Sequence, residues 1–222
     1  MACAALRLGR PLVTGGVKIF HSKKRVAALA LTAAALVSIT AVQAGAFAPS
    51  LPVRGKGTVC LTTEAARALT TQGLTFGAVA PATGDGNCVT FPGSGSLSPN
   101  LTGGEIPLKG GMRFAGRGHR LDLTNVQIHI RLGEGYTSAD AAADGGPAAK
   151  NIELFRYPVS LNRVTFTPTT VDTKGIPLSL TAAGGAAFTK AFAATPVAVG
   201  KALFTFDGHA EITNPFSGLP KP

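Results

Sequence analysis

Apolar and polar residues alternate in short runs along the chain after residue 57, and Gly, Pro, Asn and Asp separate the runs. Alternation with a period of two is typical of strands with one buried face. The sequence predicts strands over 57–61, 73–79, 87–91, 104–108, 111–116, 119–132, 151–159, 162–168, 175–180 and 198–206. The fold class expected from this pattern is mainly β, an antiparallel sandwich-like domain with two short helices.

The two helices are predicted where Ala-rich segments follow a threonine. Thr62 precedes a segment with Glu64 in its first turn, and Thr181 precedes a segment that runs to Ala191. A threonine N-cap satisfies free backbone N–H groups, and an early acidic residue suits the helix dipole. We expect the second helix to be the weaker one, because two adjacent glycines dilute it.

The run 119–132 changes phase within its length. Its apolar residues stand at odd positions up to 123 and at even positions from 126 onward. A strand changes phase only with an extra residue, so we predict a β-bulge near Thr124-Asn125. Segment 151–159 changes phase in the same way, and the two strands are candidates to pair. Segment 133–150 has loop composition and is predicted to be exposed and mobile. On this register the side chains that face away from the core are Arg120, Gln127, His129 and Arg131.

Residues 1–46 have the layout of an export signal. A basic cluster at 23–25 precedes the apolar run 26–42, and small residues follow that run. The alternative is one membrane-spanning anchor, although the run is short and rich in Ala. The n-region of about 25 residues is long, and a start at Val13 or Val17 would explain its length. We expect a lead-in at 47–56, one β-rich domain at 57–212 and a tail at 213–222.

The charge distribution argues against a nucleic-acid-binding protein. The chain carries a formal net charge of +10, but residues 1–46 supply six of its cations and no carboxylate. Residues 47–222 hold 15 Lys and Arg against 11 Asp and Glu, a balance of only +4. Nucleic-acid recognition needs a basic surface on the folded domain. We therefore expect a secreted or cell-envelope protein with no nucleic-acid partner and no membrane span after cleavage.

Two cysteines, Cys60 and Cys88, lie in the expected mature chain. An even count in an exported protein favours one disulfide, and two metal-binding thiolates are the alternative. The sequence contains no G-x-S-x-G, H-E-x-x-H or nucleotide-binding glycine motif, and its histidines have no metal-ligand spacing. We therefore predict neither a catalytic residue nor a metal site, and no enzymatic activity.

Basic residues are concentrated between positions 109 and 131, where Asp122 alone opposes them. We call this set the basic strip: Lys109, Arg113, Arg117, His119, Arg120 and Arg131. Gly116-Arg117-Gly118 places a guanidinium in a flexible turn that could hold carboxylates or phosphates. The alternative is a solvated hairpin rim.

The chain has two tyrosines. Tyr157 lies in a strand-like run and is expected in the core or on the sheet. Tyr136 lies in the predicted loop and is a candidate ligand. A Tyr–His pair at a surface groove would be the minimum equipment for binding ferric haem.

Two features of the sequence resemble the HtaA type of exported actinobacterial protein. One is the segment 108–114 (LKGGMRF) followed by 121–125 (LDLTN), and the other is the Leu-Thr plus Ala-rich helix unit near each end. The resemblance covers about residues 57–206. It implies a mostly β domain that acts by binding, and the best-known members bind haem at the cell surface.

The sequence departs from the haem-binding members at the ligand positions. Their early aromatic motif supplies a tyrosine, but 55–66 here has no Tyr, Trp or Phe. Their glycine-turn histidine falls at Arg117, and a related secreted subgroup has a histidine where this chain has Leu108. Haem binding would then use substitutes such as His119 or Tyr136, with Arg113, Arg117 and Arg120 on the propionates. The competing hypothesis is an adhesive protein whose basic strip contacts anionic cell-wall polymers. The sequence does not fix the oligomeric state.

Overall fold

The computed structural model describes residues 50–213, which form twelve strands, two α-helices and a 3-10 turn at Leu161–Arg163. The expected signal segment and nearly all of the expected tail lie outside the described residues. The strands and helices are β1 Leu51–Leu61, α1 Thr63–Thr71, β2 Thr75–Val79, β3 Thr83–Asp85, β4 Cys88–Leu97, β5 Gly104–Pro107, β6 Gly111–Gly116, β7 His119–Ile130, β8 Gly133–Ala143, β9 Ala149–Val159, β10 Val164–Phe166, β11 Thr170–Leu180, α2 Ala182–Phe192 and β12 Ala202–Ile212.

The sheet closes on itself. Eight strands follow one another in the order β7, β5, β4, β1, β12, β11, β9 and β8, and β8 pairs back onto β7. All of these pairings are antiparallel. β6 and β2 extend from β7, while β3 and β10 add to β4 and β11. The prediction of a mainly β fold with two helices is confirmed, but the architecture is a closed barrel with extra strands and not a sandwich.

Strand β8 is the element that closes the barrel, and the prediction of a mobile loop there was wrong. Its sequence is rich in Ala and Gly, which have low β-propensity. Hydrogen-bonded neighbours on both sides, β7 and β9, nevertheless hold it as a strand. The expected direct pairing of 119–132 with 151–159 was also wrong, because β8 lies between them. Strand β1 begins at Leu51, so most of the expected lead-in is strand.

The bulge predicted in β7 is confirmed. The β7–β8 register shifts between Thr124 and Gln127, and Asn125 has a φ of +51°. Asp140 of β8 fixes this irregular turn, because its carboxylate accepts a hydrogen bond of 2.7 Å from Asn125 Nδ2. The phase change in β9 is present as well, since the adjacent Leu154 and Phe155 are both buried.

Both predicted helices are capped as expected. Thr62 Oγ1 accepts from the N–H of Ala65, and Thr181 Oγ1 accepts from the N–H of Gly184. The glycines of α2 have a packing role, because a Cβ on Gly184 would lie 2.6 Å from the carbonyl oxygen of Leu154. Neither helix in the described residues is long and apolar enough to cross a membrane.

The helices cover the end of the barrel where an aromatic cluster fills the interior. Neighbouring rings in this cluster have centroids 4.7–5.4 Å apart. Its members are Phe76, Phe114, Phe155, Phe188 and Phe204. The predicted disulfide between Cys60 and Cys88 is confirmed and joins β1 to β4.

Candidate functional site

Tyr136 lies on β8 directly opposite His129 of β7. The two rings are stacked, with centroids 4.3 Å apart and planes 11° from parallel. The guanidinium carbon of Arg131 lies 5.4 Å from the centre of the Tyr136 ring, within the range of a cation–π contact. The barrel thus assembles an aromatic pair with a cation beside it on the outer surface of the sheet.

His129 is held firmly behind Tyr136. Its Nε2 lies 2.9 Å from Ser138 Oγ, and its Nδ1 lies 3.7 Å from Glu105 Oε1. Only 13% of its side chain is exposed. His129 faces away from the core, as the sequence predicted, but the Tyr136 ring covers it. Nε2 is therefore hydrogen-bonded, Nδ1 faces a carboxylate, and the imidazole lies behind the Tyr136 ring.

A second tyrosine lies behind the pair. Tyr157 Oη donates a hydrogen bond of 2.9 Å to the carbonyl oxygen of His129. Burial raises the pKa of the Tyr157 hydroxyl, so this group is a neutral donor at physiological pH. The expectation of a core position for Tyr157 is confirmed, since its side chain is buried. Tyr157 therefore anchors the backbone that carries His129.

A polar groove of about 370 Å³ lies in front of Tyr136. Arg131, Ser138 and Arg156 are among the residues that line it. Arg156 is paired with Glu153 at 2.5 Å and with Glu134 at 3.8 Å, and these carboxylates raise its pKa. No ion pair joins Arg131 to a carboxylate in the part of the chain that the structure describes. Arg131 is therefore the guanidinium at this groove that an anionic ligand could pair with.

The basic strip does not form one patch, because Arg131 lies at this groove and the hairpin members of the strip lie far from it. Arg131 and Tyr136 lie at one end of β7, and His119 lies ten residues away at the other end. At about 3.3 Å per residue the two ends are roughly 30 Å apart. The structure therefore separates Tyr136 from the other predicted site residues, Arg113, Arg117, His119 and Arg120.

Those four residues stand on the β6–β7 hairpin, and two carboxylates oppose them. Arg113 Nε lies 2.5 Å from Asp122 Oδ1, and Arg120 Nε lies 3.5 Å from Asp122 Oδ2. The Asp122 contact raises the pKa of Arg113. Arg117 occupies the turn with a φ of +55°.

The second carboxylate, Asp144, was missed by the sequence analysis because it arrives from the turn after β8. Its Oδ2 lies 2.9 Å from His119 Nδ1, and its Oδ1 accepts 2.7 Å from the N–H of Arg120. Both hydrogen bonds lower the pKa of Asp144, and the one with His119 has the larger effect. Asp122 is the only acidic residue within 109–131, but Asp144 adds a second carboxylate from outside that segment, so the hairpin is only weakly positive.

In the described part of the chain no group of three or more His, Cys, Asp or Glu side chains is arranged to hold a metal ion.

His129, the partner of Tyr136, was the main residue that sequence reasoning missed. A hairpin centred on Leu132-Gly133 places residue 129 opposite residue 136. The glycine at 133 was the available signal in the sequence, and it adopts a φ of +90° in the turn.

Comparison with known proteins gives the family of this fold. The model of the HtaA family matches residues 54–196. No curated protein matches the chain. The solved C-terminal domain of HtaA from Corynebacterium glutamicum superposes with a TM-score of 0.57 and 18% identity, over 72% of this chain and 99% of that chain. The N-terminal domain of the same protein gives 0.54 and 17%, over 72% and 99%. These superpositions show a shared fold, and because the family model spans more than half of the sequence, the chain belongs to the HtaA family.

Proposed function

We propose that this protein is an exported, non-enzymatic binding domain of the envelope or medium whose cargo is haem, with Tyr136 as the ligand of the iron. The resemblance to haem-binding members of the family supports haem as the cargo. The stacked pair of Tyr136 and His129 is the observation that carries the proposal. A tyrosine oxygen is an established ligand for haem iron.

The groove offers a phenol oxygen and a guanidinium to this cargo, and the two carboxylates that also line it, Glu134 and Glu153, are paired with Arg156. The Tyr136 ring borders the groove, while His129 is held behind it by Ser138 and supports the ring. Arg131, beside the Tyr136 ring, would pair with a propionate, because a guanidinium can form two parallel hydrogen bonds with a carboxylate. The groove volume is at the small end of the range for ligand sites.

The hairpin cations give weaker support to the competing wall-polymer hypothesis. Arg113 and Arg120 share Asp122, and His119 is bonded to Asp144. An anionic polymer would have to displace these internal partners. The same competition makes His119, Arg113 and Arg120 poorer candidates for haem than Tyr136 and Arg131.

Hemin titration followed by visible absorption tests the proposal. Tyr136→Phe removes only the phenolic oxygen, so it should weaken hemin binding by roughly tenfold or more and remove the spectrum of a tyrosine-ligated ferric iron. Tyr157→Phe removes the other tyrosine hydroxyl of the chain, which anchors the backbone behind the site and does not replace the iron ligand, so its loss of hemin affinity should be smaller than that of Tyr136→Phe. It should leave the hemin spectrum unchanged.

His119→Ala separates the two candidate sites. An unchanged hemin affinity in His119→Ala together with a loss in Tyr136→Phe supports the β7–β8 groove. The reverse result moves the site to the hairpin. Hemin binding that neither variant changes, or that an unrelated protein matches, would reject a specific haem site.

A further inference from the structure

The groove in front of Tyr136 is open on one side. Its lining comes from the outer surface of the sheet, on β7, β8 and β9. Its volume of about 370 Å³ is at the small end of the range for ligand sites, whereas a porphyrin with two propionates is a large ligand. A flat ring placed against the outer surface of one sheet contacts protein on one side only. A single chain therefore leaves much of such a ligand in water.

The charges of the groove match only one of the two propionates. Four charged side chains line it, and three of them are paired with one another. Arg156 Nε lies 2.5 Å from Glu153 Oε1, and Arg156 Nη1 lies 3.8 Å from Glu134 Oε2. The fourth is Arg131, which stands beside the Tyr136 ring and forms no ion pair with any residue that the structure describes. One chain therefore offers one guanidinium to a ligand that carries two carboxylates.

Two exposed leucines lie at the end of this groove. Leu132, in the β7–β8 turn, is 56% exposed, and Leu161, just after β9, is 57% exposed. The β8–β9 register pairs Gly133 with Val159, so both leucines lie at the same end of the barrel. Among the described residues the other large apolar side chain with this exposure is Val199. Apolar side chains exposed together beside a ligand groove are typical of an interaction surface.

We propose that two copies of this chain bind one haem between their Tyr136 grooves, an inference that rests on the proposed function. A two-fold contact brings the same patch of each copy together. Each copy would offer its own Arg131 to one propionate, so that two guanidiniums match two carboxylates. Leu132 and Leu161 of each copy would leave water in this contact, which favours association. The site is incomplete in one chain and complete in two.

An anionic membrane is the other occupant that leucines beside an arginine could fit. The carboxylates of Glu134 and Glu153 line the same groove and would be repelled by such a surface. Glu134 is 64% exposed, so it would meet the lipid headgroups directly. The mixed charges of the groove therefore favour a second copy over a membrane.

Hemin titration of the purified protein, with molar mass measured by light scattering, tests this inference. The protein should be a monomer without hemin. The change in visible absorption should end at one hemin for every two chains, and the molar mass should double at that point. Leu132→Ser should weaken the hemin-linked association by roughly tenfold or more, because each copy loses a buried leucine side chain from the contact. Leu161→Ser is a second variant if Leu132→Ser does not fold.

Val199→Ser is the matched control, because Val199 is as exposed as Leu132 but does not line the Tyr136 groove. It should behave as the wild type.

The outcomes separate this inference from the proposed function. A monomeric complex with one hemin per chain, whose spectrum Tyr136→Phe still removes, would overturn the two-copy site and leave the haem function standing. A hemin-linked dimer that forms equally well in Tyr136→Phe would overturn the two-copy site, because the chains would then meet elsewhere. Absence of hemin binding would overturn both proposals. A monomeric hemin complex together with Leu132-dependent binding to anionic phospholipid vesicles would assign the leucines to a lipid surface instead.

Discussion

At the scale of single residues, Asp140 is the most heavily bonded carboxylate of the described chain. It accepts hydrogen bonds from Asn125 Nδ2 at 2.7 Å, Lys150 Nζ at 2.8 Å and the N–H of Asn151 at 2.9 Å. The Lys150 bond is the largest of the effects that lower the Asp140 pKa to about 2. One side chain thus links the β7 bulge to the start of β9.

These bonds predict a stability that depends on pH. The Asp140 pKa in the folded state lies below the unfolded value of 3.8, so its contribution is fully present above about pH 4 and is lost between about pH 4 and pH 2. The pKa difference corresponds to about 2 kcal/mol. Urea unfolding of the wild type and Asp140→Asn across this range measures the contribution. The exposed Asp85→Asn is the control. An equal acid-induced loss of unfolding free energy in Asp140→Asn and Asp85→Asn would contradict the assignment to Asp140.

The sequence could predict single residues only where their partners were local. Thr62 and Thr181 as N-caps follow from the three residues after each of them. The pairing of Tyr136 with His129 depends on a strand that the sequence did not indicate. Asp144 is also close to the hairpin only because β8 returns along β7.

At the scale of elements, period and phase predicted more than propensity did. The phase change in β7 predicted its bulge, because an extra residue is the only way to keep both halves facing the core. Strand β8 was missed because residue preferences in a strand reflect the fit to a half-buried pleated surface. Alanines meet that requirement where neighbours on both sides supply the hydrogen bonds, and only the tertiary structure provides those neighbours.

Helix α2 gives a prediction at this scale. Thr181 Oγ1 caps the helix at Gly184 N and also donates to β9, where Glu153 O lies at 2.5 Å and Leu154 O at 3.1 Å. Thr181→Ala should therefore lower the free energy of unfolding by about 1–2 kcal/mol, the cost of a lost N-cap. Thr189→Ala is the control, since Thr189 Oγ1 bonds only to Gly185 O within the helix. Chemical denaturation that gives equal losses for both variants would argue against the capping role.

At the scale of the whole molecule, the closure of the sheet into a barrel could not be predicted from the sequence. Alternating runs indicate strands, but the same runs fit a sandwich or a barrel, since strand order is decided by contacts between distant segments. The closing contact here is the β7–β8 hairpin together with β8–β9, and both involve the strand that propensity concealed. The disulfide could be predicted, because only two cysteines follow the expected export signal.

That disulfide yields the last prediction. Cys60 and Cys88 face each other as a register pair of β1 and β4, and the bond closes a loop of 28 residues that contains α1, β2 and β3. Restricting such a loop in the unfolded chain contributes about 3.5 kcal/mol to stability. Ten register pairs join β1 to β4 in the folded state, so the fold should survive without the bond.

The double variant Cys60→Ala/Cys88→Ala tests this without leaving either member of the pair as a free thiol. It should keep the circular dichroism spectrum of the wild type and lose about 3.5 kcal/mol of unfolding free energy. A reducing agent should lower the wild-type stability by a similar amount and leave the double variant unchanged. A loss below about 1 kcal/mol would mean that the unfolded loop is already restricted without the bond. Loss of the folded spectrum would instead mean that the disulfide is required to form the β1–β4 pairing.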